Sequence, residues 1–212
     1  MRLIPLFLLL FFSQALTAQQ AKFENRVNLV FGLGQITQGG FNIEGNLFYD
    51  RFVFDYSHGV ALSVTNDQLE QGNDREQGLD IHLPWTTGFG VGYQFTDWLN
   101  LRLEPKWHRY ELYYHDTDYT SENLIGDYTT FTLGLGLYAN WRPFKRQDNF
   151  LRGFMIVPNF RWWPRISSSL EGNQLSYYNT QSESQEVHKA REIGLGNTPF
   201  FYNISIGYSL SF

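Results

Sequence analysis

The chain contains no cysteine. This absence excludes disulfide bonds, thiolate metal sites and a lipid-anchored N-terminal cysteine. The chain also lacks an excess of basic residues, because 16 Lys and Arg stand against 21 Asp and Glu and give a formal net charge of −5. Proteins that bind nucleic acid usually carry a basic surface, so we expect no nucleic acid as a partner.

Long hydrophobic runs are also missing beyond the N-terminus, where no stretch approaches the 18 apolar residues of a membrane-spanning helix. The N-terminus itself has a basic Arg2, an apolar run over residues 3–12 and small or polar residues over 13–18. This order is typical of a secretory signal peptide. We therefore predict a signal peptide at residues 1–18, which takes the chain across the inner membrane, and one domain at residues 19–212.

Aromatic residues and glycine are abundant. The chain has 19 Phe, 13 Tyr, 6 Trp and 19 Gly, yet its mean hydropathy is negative at −0.34. Many aromatic side chains in a chain of low overall hydropathy indicate membrane strands that are apolar on one side only.

Alternation of apolar and polar residues is clearest in residues 201–212. Every even position from Tyr202 to Phe212 is apolar or aromatic, whereas the odd positions from Asn203 to Ser211 are small or polar. A strand places alternate side chains on opposite faces, so this segment has one apolar face. Seven more segments alternate in a similar way, and we predict strands at 27–36, 41–49, 52–64, 85–95, from 98 onward, 128–140 and 150–163.

The connections between these segments alternate in length. Asp50-Arg51, Thr96-Asp97 and residues 141–149 are short, whereas 65–84, 115–127 and 164–197 are long and polar. Short turns at one end and long loops at the other are typical of an outer-membrane barrel. We predict an all-β fold, an eight-stranded antiparallel up-and-down transmembrane β-barrel with short periplasmic turns and long extracellular loops.

The main alternative is a soluble eight-stranded barrel with an apolar interior. The fifth segment distinguishes the two, because Arg102, Glu104 and Lys106 share one face. In a membrane barrel of eight strands that face fills the interior, and buried charges there require partners of opposite sign. Glu24 and Arg26 are further candidates for the interior. The predicted interior network consists of Glu44, Asp55, Arg102, Glu104, Lys106, His108 and Arg161.

The last segment, with Tyr208, Leu210 and Phe212, resembles the insertion signal of bacterial outer-membrane barrels. Over residues 23–212 the chain resembles the small outer-membrane β-barrel superfamily of Gram-negative bacteria. This resemblance implies an outer-membrane location, surrounding lipid and lipopolysaccharide, the barrel-assembly machinery during insertion, and an outer-membrane protein as a further partner. Members include anchors, adhesins, narrow pores, lipid-modifying enzymes and accessory subunits, so the fold does not choose the function.

An enzymatic role requires a site. The lipid A deacylases of this superfamily use a His-x-Ser pattern, whereas this chain has Ser57-His58, which alternation places on opposite faces. We therefore predict no catalytic residue and no cofactor. An imidazole that faces lipid is costly, so we expect a bulge to turn His58 inward toward Asp55.

The remaining candidate sites lie in loops. His108, His115, Asp116 and Asp118 could form a metal site, but their spacing matches none, and we predict a solvated rim. Residues 164–197, with Tyr177 and Tyr178, are either a docking segment or a mobile hydrophilic shield. We predict a structural, binding or accessory role through the loops or the barrel wall. The alternatives are a small transport barrel for small or hydrophobic solutes and a lipid A-modifying enzyme.

Overall fold

A computed structural model describes residues 23–69 and 73–212. The predicted signal peptide therefore lies outside the described residues. No helix in the described ranges is long and apolar enough to cross a membrane.

The described chain contains eleven strands, and eight of them close into an antiparallel barrel. The bounds are β1 Arg26–Gly32, β2 Phe41–Tyr49, β3 Phe52–Val64, β4 Leu79–Gln94, β5 Leu99–Tyr114, β6 Gly126–Ala139, β7 Phe154–Trp162, β8 Arg165–Ser168, β9 Gln174–Asn179, β10 Ser184–Lys189 and β11 Phe200–Ser211.

The order of the barrel strands is β5-β4-β3-β2-β1-β11-β7-β6, and pairing of β6 with β5 completes the circle. The short β8 continues the pairing of β6 above the end of β7, and β9 and β10 form a separate hairpin. The predicted fold class is confirmed.

Some predicted bounds were wrong. The first strand ends at Gly32 because a helical turn, Leu33–Ile36, follows it. The strands around the predicted loops 65–84 and 115–127 are longer than expected, since β4 begins at Leu79 and β5 continues to Tyr114. The seventh strand begins at Phe154, after a 3-10 turn over Phe150–Gly153.

The polarity of the two barrel surfaces excludes the soluble alternative. Outward side chains such as Phe54 and Phe89 are 49% and 54% exposed, whereas the inward Arg102 and Glu104 are 1% and 0% exposed. A continuous apolar exterior of this kind is unfavourable in water but matches the hydrocarbon core of a bilayer. The barrel is therefore a transmembrane barrel with a polar interior.

The faces of β3 and β4 reverse at the ends of these strands that the long loops join. Ala61 adopts a left-handed backbone with φ 54, and the pairing of β4 with β5 shifts between His82 and Thr86. Pro84 lies in this shift and has no N–H to donate to the sheet, which explains why the ladder breaks there. Beyond the break Leu62 turns inward and is only 7% exposed.

The reversal replaces the polar interior with an apolar one. Above it a hydrophobic cluster lines the barrel and reaches the loops; its buried members are Leu62, Leu69, Leu79, Ile81, Leu83, Tyr110, Leu112, Tyr128, Tyr177 and Ala190. The prediction of a bulge at His58 was wrong. His58 remains in regular pairing with Ile43 and Thr87, because the irregularity falls three residues later, at Ala61.

Candidate functional site

A network of ion pairs crosses the barrel interior. Arg102 Nη1 lies 2.7 Å from Glu44 Oε1 and 3.4 Å from Asp55 Oδ2. Arg161 joins the same network, with Nη2 3.4 Å from Glu44 Oε2 and Nε 3.7 Å from Glu104 Oε2. All five side chains are at most 6% exposed. The structure thus brings five of the seven predicted interior residues into one cluster.

Tyr138 is a member of this cluster that the sequence did not indicate. Its hydroxyl donates to Glu104 Oε1 at 2.6 Å, and the guanidinium carbon of Arg102 lies 3.8 Å from its ring centroid. Tyr138 follows Gly134 and Gly136 on the polar face of β6, so alternation indicated its face. Its partner Glu104 lies on β5, opposite Gly134 and not opposite Tyr138, so neither the pattern of one strand nor direct pairing identifies the contact.

The other two predicted residues lie above the network. Lys106 Nζ is 3.8 Å from Glu104 Oε1 and 4.5 Å from the ring centroid of Trp163. His108 makes no ion pair in the described part of the chain. Its Nδ1 is 2.6 Å from Thr86 Oγ1 and its Nε2 is 2.9 Å from Thr132 Oγ1. His108 is therefore held by two hydroxyl groups.

The inward glycines accommodate the charged side chains closely. A Cβ at Gly136 would lie 2.6 Å from Tyr138 Cε2 and 2.7 Å from Glu104 Oε2. A Cβ at Gly92 would lie 2.8 Å from Arg102 Cγ. These distances are shorter than van der Waals contact, so the glycines leave room for neighbouring side chains and not for an open lumen.

A cavity of about 600 Å³ lies between the ion pairs and the long loops. Its floor includes Lys106, Arg161 and His108. Its apolar wall includes Leu62, Leu83, Tyr110, Trp163 and Phe201, and residues 191–196 line its upper side. The lining thus includes two interior cations, Lys106 and Arg161. Within the described ranges it includes none of the carboxylates of Glu44, Asp55 and Glu104.

The segment 164–197 is folded and covers the barrel mouth. It contains β8 and the β9–β10 hairpin. Tyr177 packs in the apolar cluster and donates its hydroxyl to Gln77 Oε1 at 3.0 Å, whereas Tyr178 is 53% exposed. We call this folded segment the cap. Its buried Tyr177 and its paired strands indicate an ordered segment, unlike the mobile hydrophilic shield that the sequence alone allowed.

One hydrogen-bonded chain fastens the cap to the barrel. His188, which is fully buried, lies with Nε2 3.0 Å from Tyr128 Oη and Nδ1 2.8 Å from Asp74 Oδ1. Arg191 donates to the second oxygen of Asp74. Burial alone would raise the pKa of Asp74, but the hydrogen bond from His188 and the charge of Arg191 outweigh it and lower that pKa.

The predicted rim residues are separated in the structure. His108 lies in the interior, whereas His115 lies at the rim with Nδ1 2.9 Å from Asp80 Oδ1. That hydrogen bond raises the pKa of His115. In the ranges that the structure covers, no group of three or more His, Asp or Glu side chains could hold a metal ion.

A hydroxyl and an imidazole meet at a place that the sequence did not indicate. Ser63 Oγ lies 2.9 Å from His82 Nδ1, across the pairing of β3 with β4. Glu111 is opposite His82 on β5, but its carboxylate accepts from the Tyr113 hydroxyl at 3.0 Å and pairs with Arg109. A catalytic hydroxyl needs a base that a third group orients, and within the described residues no hydrogen bond joins Glu111 to His82.

Comparisons with known proteins give few matches. No protein-family model and no curated protein matches the chain. Among solved structures, Ail of Yersinia pestis, solved with the heparin analogue sucrose octasulfate, is 11% identical with a TM-score of 0.43. That alignment covers 89% of this chain and 100% of Ail. OmpT, an outer-membrane protein of Vibrio cholerae, is 11% identical with a TM-score of 0.29 over 82% of this chain and 41% of OmpT.

The geometry of the chain itself gives its architecture. Eight antiparallel strands close a barrel, its interior contains buried ion pairs, and its exterior carries a continuous apolar surface. Short turns join the strands at one end and a folded cap covers the other. The chain is an eight-stranded transmembrane β-barrel with a polar interior.

Proposed function

We propose that this barrel is a binding protein that receives a small ligand, from the extracellular side, in the cavity between the ion-pair network and the cap. The observation that carries the proposal is the position of this cavity, about 600 Å³ in volume, with buried ion pairs below it and folded chain above it. Ligand sites in proteins usually measure roughly 300–1,000 Å³ and combine apolar walls with a few polar groups.

The ion-pair network supports binding over transport. An eight-stranded barrel is just wide enough for its own side chains. Here Arg102, Glu44, Asp55 and Arg161 occupy that width and are almost fully buried. A path for water would require these pairs to separate, and breaking a buried pair costs about 3–5 kcal/mol. Among the described residues no carboxylate accepts a hydrogen bond from His82 of the Ser63–His82 pair, which supports binding over catalysis.

Conductance measurements test binding against transport. In planar bilayers at neutral pH we expect the purified barrel to show no steady conductance, because the network blocks the lumen. Larger barrels with open lumens conduct steadily and serve as the positive control. A steady conductance from this barrel would overturn the proposal in favour of a small transport barrel.

Native mass spectrometry tests whether a ligand is present. The protein would be extracted from its own outer membrane in mild detergent, at its native expression level. A small-molecule mass adduct that is lost on collisional activation would support binding in the cavity. A stoichiometric protein partner would instead favour an accessory subunit that acts through its cap or its wall.

We further propose that insertion into the membrane depends on the outward residues Tyr208, Leu210 and Phe212 as a signal for the barrel-assembly machinery. These side chains are 39%, 60% and 71% exposed. We expect Phe212→Ser to lower the amount of inserted, heat-modifiable barrel in outer-membrane fractions several-fold. As the control, Phe200→Ser at the other end of β11 removes the same kind of ring from a position that is 50% exposed. An equal loss in both variants would contradict the role of the segment as a signal.

A further inference from the structure

The cavity ligand can be specified further from the charges that line the site. Resting on the function proposed above, we infer that the ligand is an amphiphilic anion, with one carboxylate or phosphate head group on an aliphatic chain. The head group binds at the floor beside Lys106 and Arg161, and the chain lies along the apolar wall. This assignment rests on three features of the cavity. They are its cationic floor, an ammonium group without a hydrogen-bond acceptor among the described residues, and its apolar wall.

The charges of the interior are sorted along the barrel axis. The carboxylates of Glu44, Asp55 and Glu104 lie in the network below, whereas Lys106 and Arg161 line the cavity. At the upper side Arg191 is paired with Asp74, and Glu192 Oε2 accepts from the backbone N–H of Arg165. The floor of the cavity is therefore cationic. Among the described residues no carboxylate of the network lines it.

Lys106 has an ammonium group that donates no hydrogen bond to any described residue. Its side chain is 3% exposed, and its ion-pair partner, Glu104 Oε1, is 3.8 Å away, beyond hydrogen-bond distance. Nε of the neighbouring Arg161 likewise has an ion-pair partner, Glu104 Oε2 at 3.7 Å, but no hydrogen-bond acceptor among the described residues. A buried ammonium carries three donors and is stabilised when an anion accepts from them.

The wall above the floor is suited to an aliphatic chain. Leu62, Leu83, Tyr110 and Phe201 line it, and the ring of Trp163 lies beside both cations, 4.5 Å from Lys106 Nζ and 5.0 Å from Arg161 Cζ. Apolar burial contributes about 0.8 kcal/mol per methylene, which corresponds to about fourfold in affinity. Binding should therefore strengthen by roughly fifteenfold for every two carbons until the cavity is filled.

Calorimetric titration of the full-length mature barrel in lipid nanodiscs tests the inference. The probes are hexanoate, octanoate and decanoate, with decyl phosphate as the second anion and with decanol and decylamine as uncharged and cationic controls. We expect decanoate or decyl phosphate to bind at least tenfold more tightly than decanol, and decylamine to be rejected. Comparison of decanoate with decyl phosphate shows which head group the floor prefers.

Two variants on β5 locate the head group. Lys106→Met keeps the length of the side chain and leaves Glu104 with Arg161 and Tyr138 as partners. We expect this variant to lose at least tenfold in affinity for decanoate and to bind decanol unchanged. Arg109→Met removes the same charge from an outer position that is 38% exposed, and it should bind both probes like the unmodified protein.

The outcomes separate the inference from the proposed function. Equal binding of decanoate, decanol and decylamine would overturn the anionic ligand but retain a binding cavity. Binding of no probe, together with no adduct in native mass spectrometry, would overturn both. The comparison among probes on the unmodified protein decides the matter even where Lys106→Met does not fold.

Discussion

Replacing Arg102 with alanine should destabilise the barrel by about 3–5 kcal/mol, because the change leaves Glu44 and Asp55 buried without their shared cation. Both carboxylates lie in the barrel interior, at most 5% exposed, where water cannot compensate for the lost charge. The loss of stability should lower the urea concentration at the midpoint of unfolding in detergent micelles. The fraction of folded barrel at each urea concentration is measured from the heat-dependent shift in gel mobility that folded barrels show.

A matched control for this prediction lies on the same strand. Arg109 pairs with Glu111 and Asp127 at the rim, where its side chain is 38% exposed. Exposed ion pairs contribute roughly 0–1 kcal/mol, so Arg109→Ala should leave the midpoint almost unchanged. If the two variants unfolded at the same midpoint, the interior pairs would not be the main polar contribution to stability.

Replacing Asp74 with alanine should release the cap and leave the barrel intact. Asp74 accepts from both His188 and Arg191, and hydrogen bonds to charged groups contribute about 1.5–3 kcal/mol. Amide hydrogen exchange in β9 and β10 should therefore become roughly 10–100 times faster, whereas exchange in β2 and β3 should not change. Mass-spectrometric hydrogen exchange on the folded barrel measures both regions in one experiment.

Glu76→Ala is the control for cap release, because Glu76 lies in the same short helix, Asn73–Glu76, and is exposed. Acid provides a second check. The pKa of Asp74 is lowered in the folded state, so its contribution is complete above the usual carboxyl range and is lost only as pH falls through the lowered value. Cap protection, corrected for intrinsic exchange, should be equal at pH 7 and pH 5. A cap that opened at pH 5 would contradict this role for Asp74.

Strand alternation made the barrel predictable from sequence. The second and third strands have the predicted bounds, Phe41–Tyr49 and Phe52–Val64, since a two-residue turn at Asp50-Arg51 separates two regular patterns. The inward charges were predictable for the same reason, because a barrel wall offers a side chain only two directions. Alternation does not give the height of a residue along the axis. It therefore could not separate Lys106, at the cavity floor, from Glu104 in the network below.

The cap was harder to predict because its composition resembles that of a loop. Ser, Gln, Asn and Glu dominate residues 164–197, and the residues that anchor it act through partners far along the chain. His188 is buried only because Asp74 and Tyr128, 114 and 60 positions away, meet it. The reversal of faces at Ala61 likewise occurs beside Pro84 on the neighbouring strand. The alternation pattern of a single strand shows neither this reversal nor the burial of His188.

The unequal lengths of the strands give the barrel a wall of uneven height. β1 has 7 residues and β5 has 16, so at ~3.3 Å per residue and a tilt of ~45° the wall on the β5 side rises roughly 20 Å higher. With the long loops outside the cell, as proposed above, hydrogen-bonded sheet stands beside the loops in the surface that an antibody or a phage can reach. Substitutions in that sheet must preserve cross-strand pairing, so we expect antigenic variation there to be confined to outward side chains.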